Sequence, residues 1–168
     1  TKTSLLPLIA QKVLNVQVRE PRLRWPIPED IQQLQGQKLL QLSRRSKYIL
    51  AEFEHHTMLW HLGMSGSFRL CEPTDELRKH DHLVIQFEDV ELRYHDPRRF
   101  GAWLWFSGAV ETHQLIDKLG PEPLEDAFTA DYFQAALSPQ KRALTLALLD
   151  NHLVVGVGNI YPNETLFR

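Results

Sequence analysis

Alternation of apolar and polar positions is cleanest between residues 83 and 95. Leu83, Ile85 and Phe87 share one face of an extended segment. Val90, Leu92 and Tyr94 share another, with Glu91, Arg93 and His95 opposite. Glu88-Asp89 between the two runs predicts a tight hairpin. Strand-like runs recur at roughly 38–43, 47–54, 57–62, 66–71, 83–88, 90–95 and 102–106. Many short strands at this spacing argue for a β-sandwich or barrel. In the last run Trp103-Leu104-Trp105-Phe106 is apolar on both faces, which predicts a strand covered on both sides. Ahead of all of these, Leu5, Leu6, Leu8 and Ile9 predict a short helix that leads into a strand over Val13–Val18.

The pattern changes after Pro123. Ser138-Pro139 offers an N-cap followed by proline in a first helical turn. The continuously apolar run Ala143–Leu149 predicts a buried helix. Gly156 and Gly158 punctuate the chain, and a further helix begins at Asn159, where Pro162 falls in the first turn. The expected fold class is α+β. A mainly β, two-sheet sandwich with flanking helices occupies residues 1–125, and the start of a helical domain occupies residues 126–168. Repeats and low-complexity segments are absent.

Composition narrows the picture only in places. The 168 residues, 43% hydrophobic and 24% charged, are ordinary for a soluble globular protein. No apolar run has membrane length and no secretory leader is visible, so membrane association is not expected. One cysteine, Cys71, excludes an internal disulfide and any multi-cysteine zinc site within these residues, which makes a reducing cytoplasm the expected compartment. A formal net charge of -2 argues weakly against nucleic acid. The cations are clustered, however, at Arg44, Arg45 and Lys47, at Arg98 and Arg99, and at Lys141 and Arg142. Local field decides binding more than the total does.

The run Tyr94-His95-Asp96-Pro97-Arg98-Arg99-Phe100-Gly101-Ala102-Trp103 carries the most chemistry. It puts two guanidinium groups and a phenylalanine at the tip of a turn between two strands. Such a tip suits a duplex wedge, with cations for phosphates and base edges and an aromatic ring for insertion between bases. Six further runs stand out in order: Arg22-Leu23-Arg24-Trp25-Pro26, Arg44-Arg45-Ser46-Lys47-Tyr48, His61-Leu62-Gly63-Met64-Ser65-Gly66, Lys79-His80-Asp81-His82, Leu119-Gly120-Pro121-Glu122-Pro123-Leu124 and Gly156-Val157-Gly158-Asn159-Ile160-Tyr161. Together these seven motifs resemble the bacterial formamidopyrimidine-DNA glycosylases, base-excision enzymes that remove oxidised purines.

The resemblance implies a β-sandwich followed by a helix-two-turn-helix element. Its implied partner is double-stranded DNA containing oxidised purines or abasic sites, bound by a monomer in the bacterial cytoplasm. It implies roles residue by residue. Lys47 would be the groove lysine that contacts phosphate and assists strand cleavage; read from sequence alone, it could equally face solvent in its strand. His61 would contact backbone phosphate, where a lone histidine is otherwise structural. Met64 would fill the space left by the flipped-out nucleotide, where it otherwise reads as core. Arg98 would hydrogen-bond the orphaned cytosine and Phe100 would wedge beside it, refilling a stack whose opening costs a few kcal/mol. The plainer reading of that loop is a hairpin turn closed by a salt bridge from Asp96 to an arginine. Asn159 would bind phosphate at a helix start, although it also serves as a plain N-cap. His80 would be another DNA contact.

Two departures qualify this. In the family, the secondary amine of an amino-terminal proline is the nucleophile, followed by a glutamate acting as acid or base. Pro7 aligns with a later proline, and Thr1-Lys2-Thr3 offers no such amine. The residues as they stand are therefore expected to form no Schiff base and to be inactive, and an inert damaged-duplex-binding module is the alternative reading. The family also carries a four-cysteine structural zinc finger, which these residues do not supply; no cofactor is expected within them. Thr145 and Gln140 replace basic residues common in the family, which leaves the lesion preference open. A metal hydrolase built on His80, His82, His95 and Asp96 is a third reading. It is weak, because His-x-His in a strand has no fixed third partner. Endonuclease VIII, a sibling family with the same architecture, favours oxidised pyrimidines; the Asp-Pro-Arg-Arg-Phe-Gly run favours the purine enzymes.

Overall fold

In the computed structural model, residues 2–106 and 113–167 are described. Thr1, Arg168 and residues 107–112 inside the expected first domain lie outside the described residues. The chain divides into two compact units, one of Thr1–Arg44 with Tyr48–Gly108 and the other of Arg45–Lys47 with Ala109–Arg168.

Among the described residues the first unit is built from eight strands. They are β1 (Val13–Val18), β2 (Leu39–Arg45), β3 (Tyr48–Phe53), β4 (Thr57–His61), β5 (Ser67–Cys71), β6 (Asp81–Phe87), β7 (Glu91–His95) and β8 (Ala102–Phe106). One sheet runs β1-β6-β7-β5 and the other β2-β3-β4-β8. The pairs β1–β6, β6–β7, β5–β7, β3–β4 and β4–β8 are antiparallel. The expected hairpin closes as predicted: Gln86 faces Glu91, and the Phe87 N–H donates to Val90 O at 2.8 Å, so Glu88-Asp89 is a two-residue turn.

Alternation explains the core. Leu83, Ile85, Phe87, Leu92 and Tyr94 from one sheet meet Leu42, Ile49, Ala51, Met58, Trp60 and Trp103 from the other. Trp60 and Trp103 are fully buried with ring centroids 4.7 Å apart. Phe68 and Tyr94 reach Trp103 across the sandwich at 5.6 and 5.5 Å. A 3-10 helix over Thr3–Leu8 and another over Glu29–Leu34 add Leu5, Leu8, Ile31 and Leu34 to this cluster. The second of these helices was not anticipated, because only Ile31 and Leu34 mark its buried side.

Three expectations about the strands and their turns change. Leu104, Trp105 and Phe106 are only partly buried, so β8 is not covered on both faces along its length. Arg93, on the supposed solvent face of β7, is fully buried. The segment after β5 folds over it and offers the Glu72, Asp75 and Glu76 carbonyls at 2.9–3.2 Å, while Glu91 pairs with it at 2.8 Å. Finally, Lys47 lies in the β2–β3 turn rather than in a strand, after Ser46 with φ of 55°.

The second unit holds α1 (Ala130–Leu137), α2 (Leu144–Leu148) and α3 (Ile160–Phe167). Thr129 caps α1, its Oγ1 accepting from the Tyr132 N–H at 3.0 Å. Ser138-Pro139 ends this helix instead of starting the next: the Ser138 N–H and Oγ both donate to Gln134 O. Proline then prevents continuation. The buried helix expected over Ala143–Leu149 is also corrected. It is short, only Ala147 within it is buried, and Leu144 and Leu146 are exposed. Pro162 does fall in the first turn of α3. Among the described residues no helix is long and apolar enough to cross a membrane.

Candidate nucleic-acid interface

In the first unit three loops converge on the Arg-Arg-Phe tip. The β7–β8 loop turns at Pro97-Arg98, and Arg99 takes a left-handed φ of 55°. Behind it sits the turn Gly63–Ser65 that follows β4. Gly63, at φ 64°, packs so closely that a Cβ there would lie 2.5 Å from the Phe100 carbonyl carbon. Only glycine allows that approach. The third loop, residues 19–25, is tied on by the Arg24 N–H, which donates to Gly101 O at 3.2 Å.

One buried carboxylate organises the tip. Asp96 is fully buried and accepts from Ser65 Oγ at 2.6 Å, Tyr94 Oη at 2.9 Å and the Gly101 N–H at 2.9 Å. Its carbonyl accepts from His82 Nε2 at 2.8 Å, and its N–H donates to His80 O. Burial by itself would raise the Asp96 pKa. The hydrogen bonds from Ser65, Gly101, Tyr94 and Arg98 outweigh it and hold the carboxyl below its ordinary value. Asp96 thus supports the loop, as the sequence suggested, but through hydroxyl and backbone donors instead of an arginine. Burial, and then the hydrogen bond to Asp96, pushes the Tyr94 phenol up.

What the scaffold presents outward is an apolar and cationic ridge. Met64 is 74% exposed and Phe100 43% exposed. The Arg98 guanidinium lies 4.6 Å above the Phe100 ring centroid. The reading of Met64 as core is therefore overturned: a methionine this exposed on a turn is available to another molecule. His61, half-buried at the end of β4, accepts from the Gly63 N–H through Nδ1 at 3.1 Å, and its ring lies 5.3 Å from that of Tyr48. That hydrogen bond leaves Nε2 to carry the proton of the neutral ring.

His80 lies beside the ridge, with ring centroids of His82 and His95 at 6.0 and 5.9 Å. Burial, and then the charges of Lys79, His82, His95 and Arg99, lower its pKa. His95 Nδ1 donates to Asp81 Oδ1 at 3.0 Å, and Asp81 also accepts from Arg69 at 2.6 Å and the Arg78 N–H at 2.8 Å. His82 and His95 thus turn a ring nitrogen each to a separate partner, Asp96 O and Asp81. Among the described residues no group of three His, Cys, Asp or Glu side chains is placed to hold a metal ion. The one cysteine of the sequence, Cys71, is buried at the end of β5.

The second unit gathers Lys47 and Asn159. Lys47 Nζ donates to Val157 O at 3.1 Å, and a Cβ at Gly158 would sit 3.6 Å from that ammonium. Exposed Asn159 immediately precedes α3, and its carbonyl accepts from Asn163 Nδ2 at 3.0 Å. The cation and the helix start are therefore neighbours along one loop, an arrangement suited to a phosphate. Glu122, to which the sequence assigned no role, holds this loop's lysine in place from behind. Its buried carboxylate accepts from the Ser46 N–H at 2.6 Å and Arg45 at 3.1 Å, while Arg45 also donates to Leu119 O and Gly120 O. The only available signal was its place in the Leu-Gly-Pro-Glu-Pro-Leu run.

Comparison with known proteins gives this geometry a lineage. Residues 1–103 match the family model of the formamidopyrimidine-DNA glycosylase N-terminal domain, and residues 119–168 match that of the formamidopyrimidine-DNA glycosylase H2TH domain. The formamidopyrimidine-DNA glycosylase of Acinetobacter baumannii (strain SDF) is 65% identical over the whole chain, which spans 61% of that relative. That of Acinetobacter baylyi is 62% identical, with 62% of its length spanned. The structure of the Lactococcus lactis enzyme bound non-covalently to DNA containing an abasic site is 34% identical. It superposes with a TM-score of 0.90, covering 98% of this chain and 65% of that one. The matched models, the shared fold and the shared motifs agree: this chain belongs to the formamidopyrimidine-DNA glycosylase family.

Proposed function

We propose that this chain is part of a bifunctional DNA glycosylase and abasic-site lyase of bacterial base-excision repair. It excises oxidised purines such as 8-oxoguanine and formamidopyrimidines after flipping them out of the duplex. The observation that carries this reading is the ridge of Met64, Arg98 and Phe100 on two turns locked together through Asp96 and Gly63. A rigid, exposed wedge can replace a flipped base without paying to order itself on binding. The Lactococcus lactis relative, solved with abasic-site DNA and with DNA containing a formamidopyrimidine, supports the choice of partner.

In this reading Arg98 reads the orphaned base, Phe100 wedges beside it and Met64 fills the vacated space. Lys47, His61, His80 and Asn159 hold backbone phosphates, and Lys47 also assists strand cleavage. Because the His80 pKa is lowered, it offers phosphate a hydrogen bond instead of a full charge near neutral pH. The protein acts as a cytoplasmic monomer, and any structural zinc is bound by residues other than these.

Arg98→Ala tests the assignment. In titrations of labelled abasic duplexes with each of the four bases opposite the gap, the variant should lose preference for cytosine by about 1–3 kcal/mol, with phosphate-driven affinity retained. Equal loss opposite all four bases would show that Arg98 only positions the backbone. Release of 8-oxoguanine separates the glycosylase reading from an inert duplex-binding module.

A further inference from the structure

Beside the ridge runs a groove of about 420 Å³ with Arg19, Lys79, His80 and Arg99 in its walls and the Glu20 carboxylate among them. The backbone N–H groups of Arg19 and Glu20 donate to His82 O at 2.8 and 3.2 Å, which anchors Glu20 to the end of the β1–β6 ladder. Its carboxylate is gripped by two guanidiniums. Oε1 accepts from Arg22 Nε at 2.8 Å and from the Arg22 N–H at 3.0 Å. Oε2 accepts from Arg22 at 2.8 Å and lies 3.6 Å from Arg99. Asp81, the other acid of the groove, is buried and turned to Arg69, His95 and the Arg78 N–H.

A planar fork on two oxygens with a second guanidinium alongside is how proteins hold the two free oxygens of a phosphodiester. We propose that this groove is a subsite for a backbone phosphate, and that Glu20 occupies it as an internal anion which an incoming duplex displaces. The inference rests on the duplex-binding reading above and adds to it a device that damps binding. Arg22 and Arg99 are 79% and 46% exposed, so both can turn from Glu20 to a phosphate without unpacking, whereas the Glu20 side chain is only 22% exposed. The hydrogen bond from Arg22 is the main cause that draws the Glu20 pKa down to about 2. The carboxylate is therefore charged at every pH near neutral, and only exchange with another anion releases the arginines. Because the arginines are already neutralised, a phosphate that enters releases fewer counterions than it would from a bare site. Glu20 thereby lowers both the affinity for undamaged duplex and its salt dependence.

The test is a fluorescence-anisotropy titration of an undamaged labelled duplex at several salt concentrations. The chain is compared with Glu20→Gln, Arg99→Ala and the double variant. Glu20→Gln should bind several-fold more tightly at low salt, with a log–log salt slope steeper by roughly 0.9. Adding Arg99→Ala should remove most of that gain. In a second arm, inorganic phosphate is added at constant ionic strength while the Arg22 and Arg99 Nε–H resonances are followed by NMR. They should shift saturably in Glu20→Gln and much less in the unaltered chain. Unchanged affinity and slope in Glu20→Gln overturns the proposal while leaving duplex binding intact. Phosphate shifts without any change in the duplex titration assign the groove to free phosphate, and also overturn it. Failure of the unaltered chain to bind duplex removes the duplex-binding reading and this inference with it.

Discussion

The β-sandwich unit and the helical unit keep their functional groups in place by different means. In the first, the ridge stands on an aromatic core in which Trp60, Trp103 and Tyr94 are fully buried. In the second, α1 contributes no buried residue, and Leu144, Leu146, Ile160, Tyr161 and Phe167 are exposed. What holds Lys47 there is polar: Val157 O accepts from its ammonium, and the Glu122 carboxylate holds Ser46 and Arg45 beside it. A buried acid organises each site, Asp96 in the first and Glu122 in the second, but only the first is backed by a packed aromatic core. The second arrangement depends on single residues, because an unpaired buried donor costs more than one contact is worth.

The largest effect that separates the two should come from Trp103→Ala. Removing a fully buried indole from the sandwich should cost about 3–5 kcal/mol. Chemical denaturation followed by circular dichroism would read it, and a loss under ~1 kcal/mol would deny that this core carries the unit. Next comes Glu122→Ala, which removes the acceptor of the Ser46 N–H and leaves Arg45 only the Leu119 and Gly120 carbonyls. A local loss of about 1–3 kcal/mol is expected, with faster hydrogen exchange at Ser46 and weaker duplex binding but little change at Gly101. Exchange that quickens equally in both units would show that Glu122 is a general stabiliser.

A smaller effect follows from pH. A carboxyl whose pKa is lowered by folding contributes stability that is complete above its unfolded value, about 3.9, and is lost as pH falls through the folded value. Asp96 and Asp81 both shift in that direction, despite burial that by itself would raise them. The ridge should stay closed at neutral pH and loosen only below about pH 4. Gly101 amide exchange, corrected for intrinsic rates, measures it; Asp96→Asn should abolish the acid step. The smallest effect is expected at Leu146→Ser, within about 0.5 kcal/mol of the unaltered chain, since that side chain is already exposed. A loss of several kcal/mol would mean that α2 is far better packed than its exposure indicates.

Much of this was legible from residue pattern. The period-two runs located the strands, and turn chemistry located the Glu88-Asp89 hairpin, because both signals act over a few neighbouring residues. The seven motifs pointed to the family for the same reason: each is a local run whose residue types can be compared one by one. The errors were equally local. Ser138-Pro139 reads alike as the end of one helix or the start of the next, and apolarity in Leu144–Leu148 does not say whether anything covers it. Arg93 looked solvent-facing because nothing within its strand shows that residues 72–80 fold over it.

Strand positions, the turn and the identities of the ridge residues were therefore determined along the chain. The environments that give them function were decided only by tertiary contacts. Asp96 became the organiser of the ridge by meeting Ser65, 31 positions away, and Glu122 came to steady the Lys47 turn by meeting Ser46, 76 positions away. Glu20 became an anion between two arginines only once Arg99 was folded against it. Burial, pairing and charge compensation depend on which distant groups arrive, and local sequence carries no record of that.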